Sequence, residues 1–293
     1  MNTPPWEWPQ DGVRTILKIL GDPSCDQPDR LLAAELTAIS TSFNEEIIEA
    51  LLSIVRDGDE SEELRGASAI AFGPALEQVD MEGFDDPDDL DGVSLTEDRF
   101  RRIQDVFRLL FQDTSVPKQV RRRVLEASVR AEQDWHSEAV HAAYIGEDQD
   151  WRLTAVFAMC FVPGFEEQIL ESLNSDNPAI HLEAVRAAAS WEMDETWSHV
   201  VSLAGEGGTE KQLRLAAIEA VAVIRPEEAS KVLLELGDFE DEEISAAIEE
   251  ALTMAELYTR FDLDDEMDGE MDDGRCDSGG GFGPDRDSGK TIH

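Results

Sequence analysis

Asn177-Pro178-Ala179-Ile180-His181-Leu182-Glu183-Ala184-Val185-Arg186-Ala187-Ala188 is the stretch that decides the fold. Asn177 is a residue type that caps a helix, and Pro178 suits the first helical position, where its missing N–H costs nothing. The anchor His181 is then followed three and six positions later by Ala184 and Ala187. The pattern recurs at Arg30 (Ala33, Leu36), Arg65 (Ser68, Ala71), Arg121 (Val124, Ala127), Arg152 (Ala155, Ala158), Arg214 (Ala217, Ala220) and Ser245 (Ile248, Ala251). Successive anchors lie 29 to 35 residues apart, except for one interval of 56 between Arg65 and Arg121. A period in that range marks stacked helix pairs. The expectation is an all-α solenoid of about seven pairs, with small residues where helices cross closely.

Helix signals come in twos on either side of each anchor. Ser42-x-x-Glu45 reads as a capping box ahead of Ile47, Ile48, Leu51, Leu52 and Val55, an apolar stripe at helical spacing. The turn Asp57 to Glu60 stops that helix, and Leu64 to Leu76 supplies its partner. Phe100, Ile103, Val106, Phe107, Leu110 and Phe111 line one face of the next pair, and Pro226 opens the last, which should end near Tyr258. No stretch alternates with period two at convincing length, so no sheet is expected. The solenoid should occupy residues 1–261. It is interrupted by an acidic run, Gln78 to Asp98, that reads as a flexible insertion, and is followed by a disordered acidic and glycine-rich tail, 262–293.

Acidic residues number 66 and basic ones 24, a formal net charge of -42. Such self-repulsion disfavours binding to nucleic acid or an anionic membrane, and favours a protein partner of basic or mixed charge. The low count of five lysines fits either a salt-adapted cytoplasm or an ordinary acidic protein. Cys25, Cys160 and Cys276 make no metal-binding or disulfide spacing. Met1 to Gly12 carries no export signal and no apolar run approaches a membrane span, so the expected location is the cytoplasm.

Together with Asp148-Gln149-Asp150-Trp151-Arg152-Leu153-Thr154-Ala155, the opening stretch resembles the HEAT-like repeats named after phycobilisome bilin lyases. The resemblance covers roughly residues 12 to 258. It implies a HEAT-like, armadillo-type superhelix, and it brings with it bilin lyases, scaffolds, DNA glycosylases and a metal-dependent hydroxylase. The hydroxylases of this fold use His-Glu pairs. Here His136, His141, His181, His199 and His293 are nowhere followed directly by Glu.

The anchors Arg30, Arg65, Arg121, Arg152, His181 and Arg214 read as structural, the arginines pairing with turn carboxylates such as Asp57 or Asp148. A basic island, Arg99, Arg101, Arg102, Arg108, Lys118, Arg121, Arg122, Arg123 and Arg130, holds nine of the 24 basic residues. Apart from the anchor Arg121 it is the candidate partner-binding patch, and the acidic insertion just before it is a candidate mask. Asp264 to Asp272 partly matches a calcium loop but ends on Arg275 where a bidentate glutamate belongs. Trp135, Trp151, Trp191 and Trp197 read as core before groove. No phosphate loop, nucleophile elbow or dinucleotide fingerprint occurs, so no catalytic residue, cofactor or metal is expected. The function expected from these residues is a non-catalytic scaffold that binds another protein on a solenoid face. The alternative, carried by resemblance alone, is a bilin lyase or lyase-like chaperone.

Overall fold

The computed structural model describes residues 12–38, 44–84, 95–236 and 241–269, with side chains up to 259. Among these residues every regular element is helical. The described residues form an all-α solenoid of seven stacked pairs. They are α1 (Gly12–Gly21) with α2 (Gln27–Ala38), α3 (Glu45–Arg56) with α4 (Glu62–Ile70) and its continuation α5 (Gly73–Glu82), and α6 (Glu97–Gln112) with α7 (Lys118–Ser128). Next come α8 (His136–Ile145) with α9 (Gln149–Ala158), and α10 (Glu166–Ser172) with α11 (Pro178–Ser190). The last two pairs are α12 (Trp197–Gly205) with α13 (Lys211–Ile224), and α14 (Pro226–Glu235) with α15 (Glu242–Gly269). The second helices α2, α4, α7, α9, α11, α13 and α15 pack successively on one another as a continuous row. Fully buried alanines on that row, Ala34, Ala69, Ala127, Ala158, Ala187 and Ala220, permit the close approach.

Each arginine anchor solves the same problem. The last carbonyls of a helix lack partners within it, and burying them bare is costly. The anchor Nε donates to the carbonyl of the penultimate residue of the first helix of its own pair. Arg30 reaches Leu20 at 3.1 Å, Arg65 reaches Val55 at 3.0 Å, and Arg121 reaches Phe111 at 2.7 Å. Arg152 reaches Tyr144 at 3.3 Å, and Arg214 reaches Ala204 at 2.9 Å. The turn carboxylates expected as partners do other work. Asp57 accepts from the backbone of Asp59, and Asp148 caps α9. Arg30 adds a carboxylate, Glu60 of the next unit, at 2.6 Å.

A second tie links neighbouring units from the position three residues before the anchor. Lys118 bonds Asp148, the cap of the next second helix, at 3.0 Å and Asp150 at 2.7 Å. Lys211 does the same with Asp241 and Glu243, and Gln27 with Ser61 and Glu63.

The apolar core is not one spine but two clusters that meet at α7. Val124, Ala127 and Ala131 face the N-terminal cluster, Leu125 and Val129 the C-terminal one. Buried polar groups lie at the seam. Gln104 Nε2 donates to the Ser128 and Ala131 carbonyls, and Ser128 Oγ meets His136 Nε2 at 2.7 Å. His136 Nδ1 accepts from the Gln133 N–H at 3.0 Å, so Nε2 carries the proton. Burial pulls this imidazole down from 6.5 to about 4, so it is neutral at neutral pH.

Three sequence expectations shift. The cap of α3 is Asn44, whose Oδ1 accepts from the Ile47 N–H at 3.0 Å, while Ser42 lies outside the described residues. The segment read as a flexible insertion is ordered at both ends. Gln78 to Glu82 belong to α5, where Val79 is buried, and Leu95 is fully buried ahead of α6. Phe84 meets Phe100 edge-on at 5.4 Å. A count of carboxylates overlooked these apolar pegs; residues 85–94, and with them the proposed mask, are outside the described ones. Finally, α15 continues to Gly269, beyond the expected end at Tyr258. The calcium-like loop falls where side chains are not described, and residues 270–293 lie outside the description altogether. No helix among the described residues is long and apolar enough to cross a membrane.

Candidate functional site

The row of second helices curves, since one cleft of about 760 Å³ draws its walls from five of them, α2, α4, α7, α9 and α11. Its apolar part is Ile70, Ala71, Leu153, Phe157 and Leu182. Its polar part is Arg122, Arg123, Glu126, Arg130 and Glu183, with Glu35, Glu62 and Glu63 at the α2–α4 end.

Two glycines make the polar part possible. A Cβ on Gly66 would stand 3.0 Å from Arg123 Cγ, and one on Gly73 would stand 2.8 Å from Arg130 Cδ. The arginines therefore lie across α4 and the start of α5 in space that any other residue would fill. Arg130 is fixed further by an ion pair with Glu77 and by the rings of Phe157 and Phe161, 5.7 and 5.3 Å from its guanidinium carbon.

The two central carboxylates have different surroundings. Glu126 accepts from Thr154 Oγ1 at 2.6 Å and from Arg123 NH1, and Arg122 NH2 stands 3.9 Å away. Thr154 in turn accepts from Arg122 Nε at 2.9 Å. Glu183 accepts from Arg186 NH1 at 2.9 Å through one oxygen. Its other oxygen, Oε2, is buried and has no hydrogen-bond partner. Burial, with the charge of Glu126 adding, holds the Glu183 carboxyl above the ordinary glutamate value of 4.5. A buried carboxyl held above its ordinary value in a cleft is a candidate for acid–base work. Burial pushes the thiol of nearby Cys160 up to about 12, away from the nucleophilic thiolate form.

No family model and no curated protein matches the sequence. Seven solved chains are similar to it, among them one human enzyme's. That is human deoxyhypusine hydroxylase in complex with glycerol, 15% identical, with a TM-score of 0.37 over 83% of this chain and 96% of that one. The likeness speaks to a HEAT-like helical-repeat fold and no further. It nevertheless corrects one expectation. The sequence reading expected a non-catalytic scaffold from the helical repeats and the lack of catalytic motifs, whereas the similar structure is that of an enzyme, and that expectation is withdrawn.

The basic island is not a patch. Arg99 and Arg102 on α6 pair with Glu45, Arg102 also with Glu49, and Arg101 with Glu97. Arg108 faces Asp134, and Lys118 the next cap. Arg121 stacks against Phe111 and Trp151. Only Arg122, Arg123 and Arg130 reach the cleft. Of the four tryptophans, none lines it. Trp135 is buried, and Trp191 is 38% exposed with its Nε1–H donated to the Met159 carbonyl at 2.6 Å. The anchor His181 breaks the ladder: its Nε2 meets His199 Nε2 at 3.0 Å. Sequence reading missed Glu126, Glu183 and Phe157. The available signal was Gly66 and Gly73, two glycines close together in helical sequence, which point to a close approach.

Proposed function

We propose that the chain is an enzyme or enzyme-like chaperone of the bilin-lyase kind. Its cleft takes an elongated, partly apolar ligand bearing carboxylates, and Glu183 handles a proton on that ligand. The observation that carries the reading is Glu183 itself, with a raised pKa and one oxygen left unbonded beside an apolar wall. Leu153, Phe157 and Leu182 would take the apolar body. Arg123 is 45% exposed and gives only one of its amines to Glu126, so it retains donors for a ligand carboxylate. Glu183, whose burial holds its proton more tightly than an ordinary glutamate's, would donate to a basic atom of the ligand and recover the proton when product leaves.

An open-chain tetrapyrrole has this chemistry, an apolar conjugated body with carboxylate arms, which agrees with the sequence resemblance. The receiving partner, from the charge balance, would be a protein of basic or mixed charge in the cytoplasm. Mixing the purified protein with a linear tetrapyrrole should shift and sharpen its absorption. Arg123→Ala should weaken binding about tenfold, whereas Glu183→Gln should bind but lose the protonation-dependent part of the shift. No spectral change, or one indifferent to both substitutions, would overturn the reading.

A further inference from the structure

His181 stands where five other units place an arginine on the penultimate carbonyl of the preceding helix. Here that ladder bond is given up. The imidazole turns instead toward α12 of the following unit, and its Nε2 lies 3.0 Å from the Nε2 of His199, with ring centroids 5.2 Å apart. Both rings are half-buried, so solvent reaches them. Burial lowers the pKa of each, with His199 adding to the effect on His181 and Glu206 opposing it on His199. Both are neutral at neutral pH, the form that ligates metals.

We propose that His181 and His199 form a binding site for a divalent transition-metal ion, Zn²⁺ or Cu²⁺. Two imidazole nitrogens bound to one ion at 2.0–2.1 Å stand roughly 2.9–3.4 Å apart. The observed separation needs only a turn of the rings to bring both lone pairs onto a common point. In the metal-free pair one Nε2 carries the bridging proton and the other accepts it. Binding moves that proton to Nδ1 of the same ring through solvent, so both rings end neutral with bare Nε2 and no net proton is released. No third His, Cys, Asp or Glu completes a ligand group among the described residues, so water or a ligand's own donor fills the remaining positions. The Glu206 carboxylate near His199 favours a cation there.

The test is titration of the full chain with Zn²⁺ in excess magnesium, which occupies loose carboxylate sites. One equivalent should bind tightly. His181→Ala and His199→Ala should each lower affinity at least tenfold, and His141→Ala, at an exposed histidine, should not. In the wild-type chain the imidazole nitrogens of His181 and His199 should shift together as the first equivalent is added, a readout independent of any variant's folding. Equal affinity in all three variants, or a first equivalent that leaves those two rings unshifted, would overturn the site.

Discussion

The anchor ladder and the cleft share four helices, α2, α4, α7 and α9, yet treat polar groups in opposite ways. On the ladder each anchor arginine donates its Nε to a carbonyl that the first helix of the pair leaves bare, and the caps of successive second helices are tied across by Gln27, Lys118 and Lys211. In the cleft, Glu183 keeps an oxygen buried and unbonded, and Glu126 is packed among two arginines and a threonine. A satisfied polar group holds a fold together. Ser68 Oγ and Gln104 Oε1 are also buried and unbonded, and of the three atoms the Glu183 oxygen is the one in the cleft lining, within reach of a ligand. The contrast teaches that the arginines which repeat bond backbone carbonyls, whereas Arg123 and Arg130, which sit off the repeat, line the cleft.

The contrast can be broken first at the ladder. Arg65→Ala removes a 96%-buried side chain and strips the Val55 carbonyl of its donor. It should cost about 3 kcal/mol in denaturant unfolding, and an equal cost for Arg123→Ala would erase the distinction. The seam between the two cores comes next. The unfolded chain protonates His136 below 6.5, while the folded one resists until about 4. Folding is therefore weakened as pH falls through that window. At about 1.4 kcal/mol per pH unit the loss comes to about 3 kcal/mol. Stability measured against pH should show this acid-side slope, and His136→Gln should flatten it. The glycines beneath the cleft arginines give the smallest effect. Ala in place of Gly73 gains helix propensity but collides with Arg130, which Glu77 and two rings hold still. A net loss of about 1 kcal/mol is expected, and a gain would show that Arg130 is loosely held.

The repeat was legible because its signal lies in spacing: an anchor, then small residues at plus three and plus six. What the anchor bonds was not legible, since a backbone carbonyl eight or ten residues away leaves no mark on residue type. The carboxylates Asp57 and Asp148 were visible and drew the assignment wrongly. The basic island misled for a related reason. Adjacency in sequence suggested one surface, but α6 and α7 are separate helices that turn their arginines to different neighbours. Glu183 was hidden among alanines in the opening stretch, where its importance comes from burial and from Glu126, 57 residues earlier in the chain. The split of the core at α7 was hidden too, because Val124 and Leu125 are alike in sequence and differ only in which cluster they face.

The claim that the cleft is a proton-handling site is tested most directly by following the Glu183 side-chain carboxyl through an NMR pH titration, with Glu183→Gln identifying the signal. The account predicts a midpoint above 4.5 that falls when Arg186 is left in place and Glu126 is replaced by Gln. A Glu183 that titrates at or below 4.5, in step with the exposed glutamates, would contradict it.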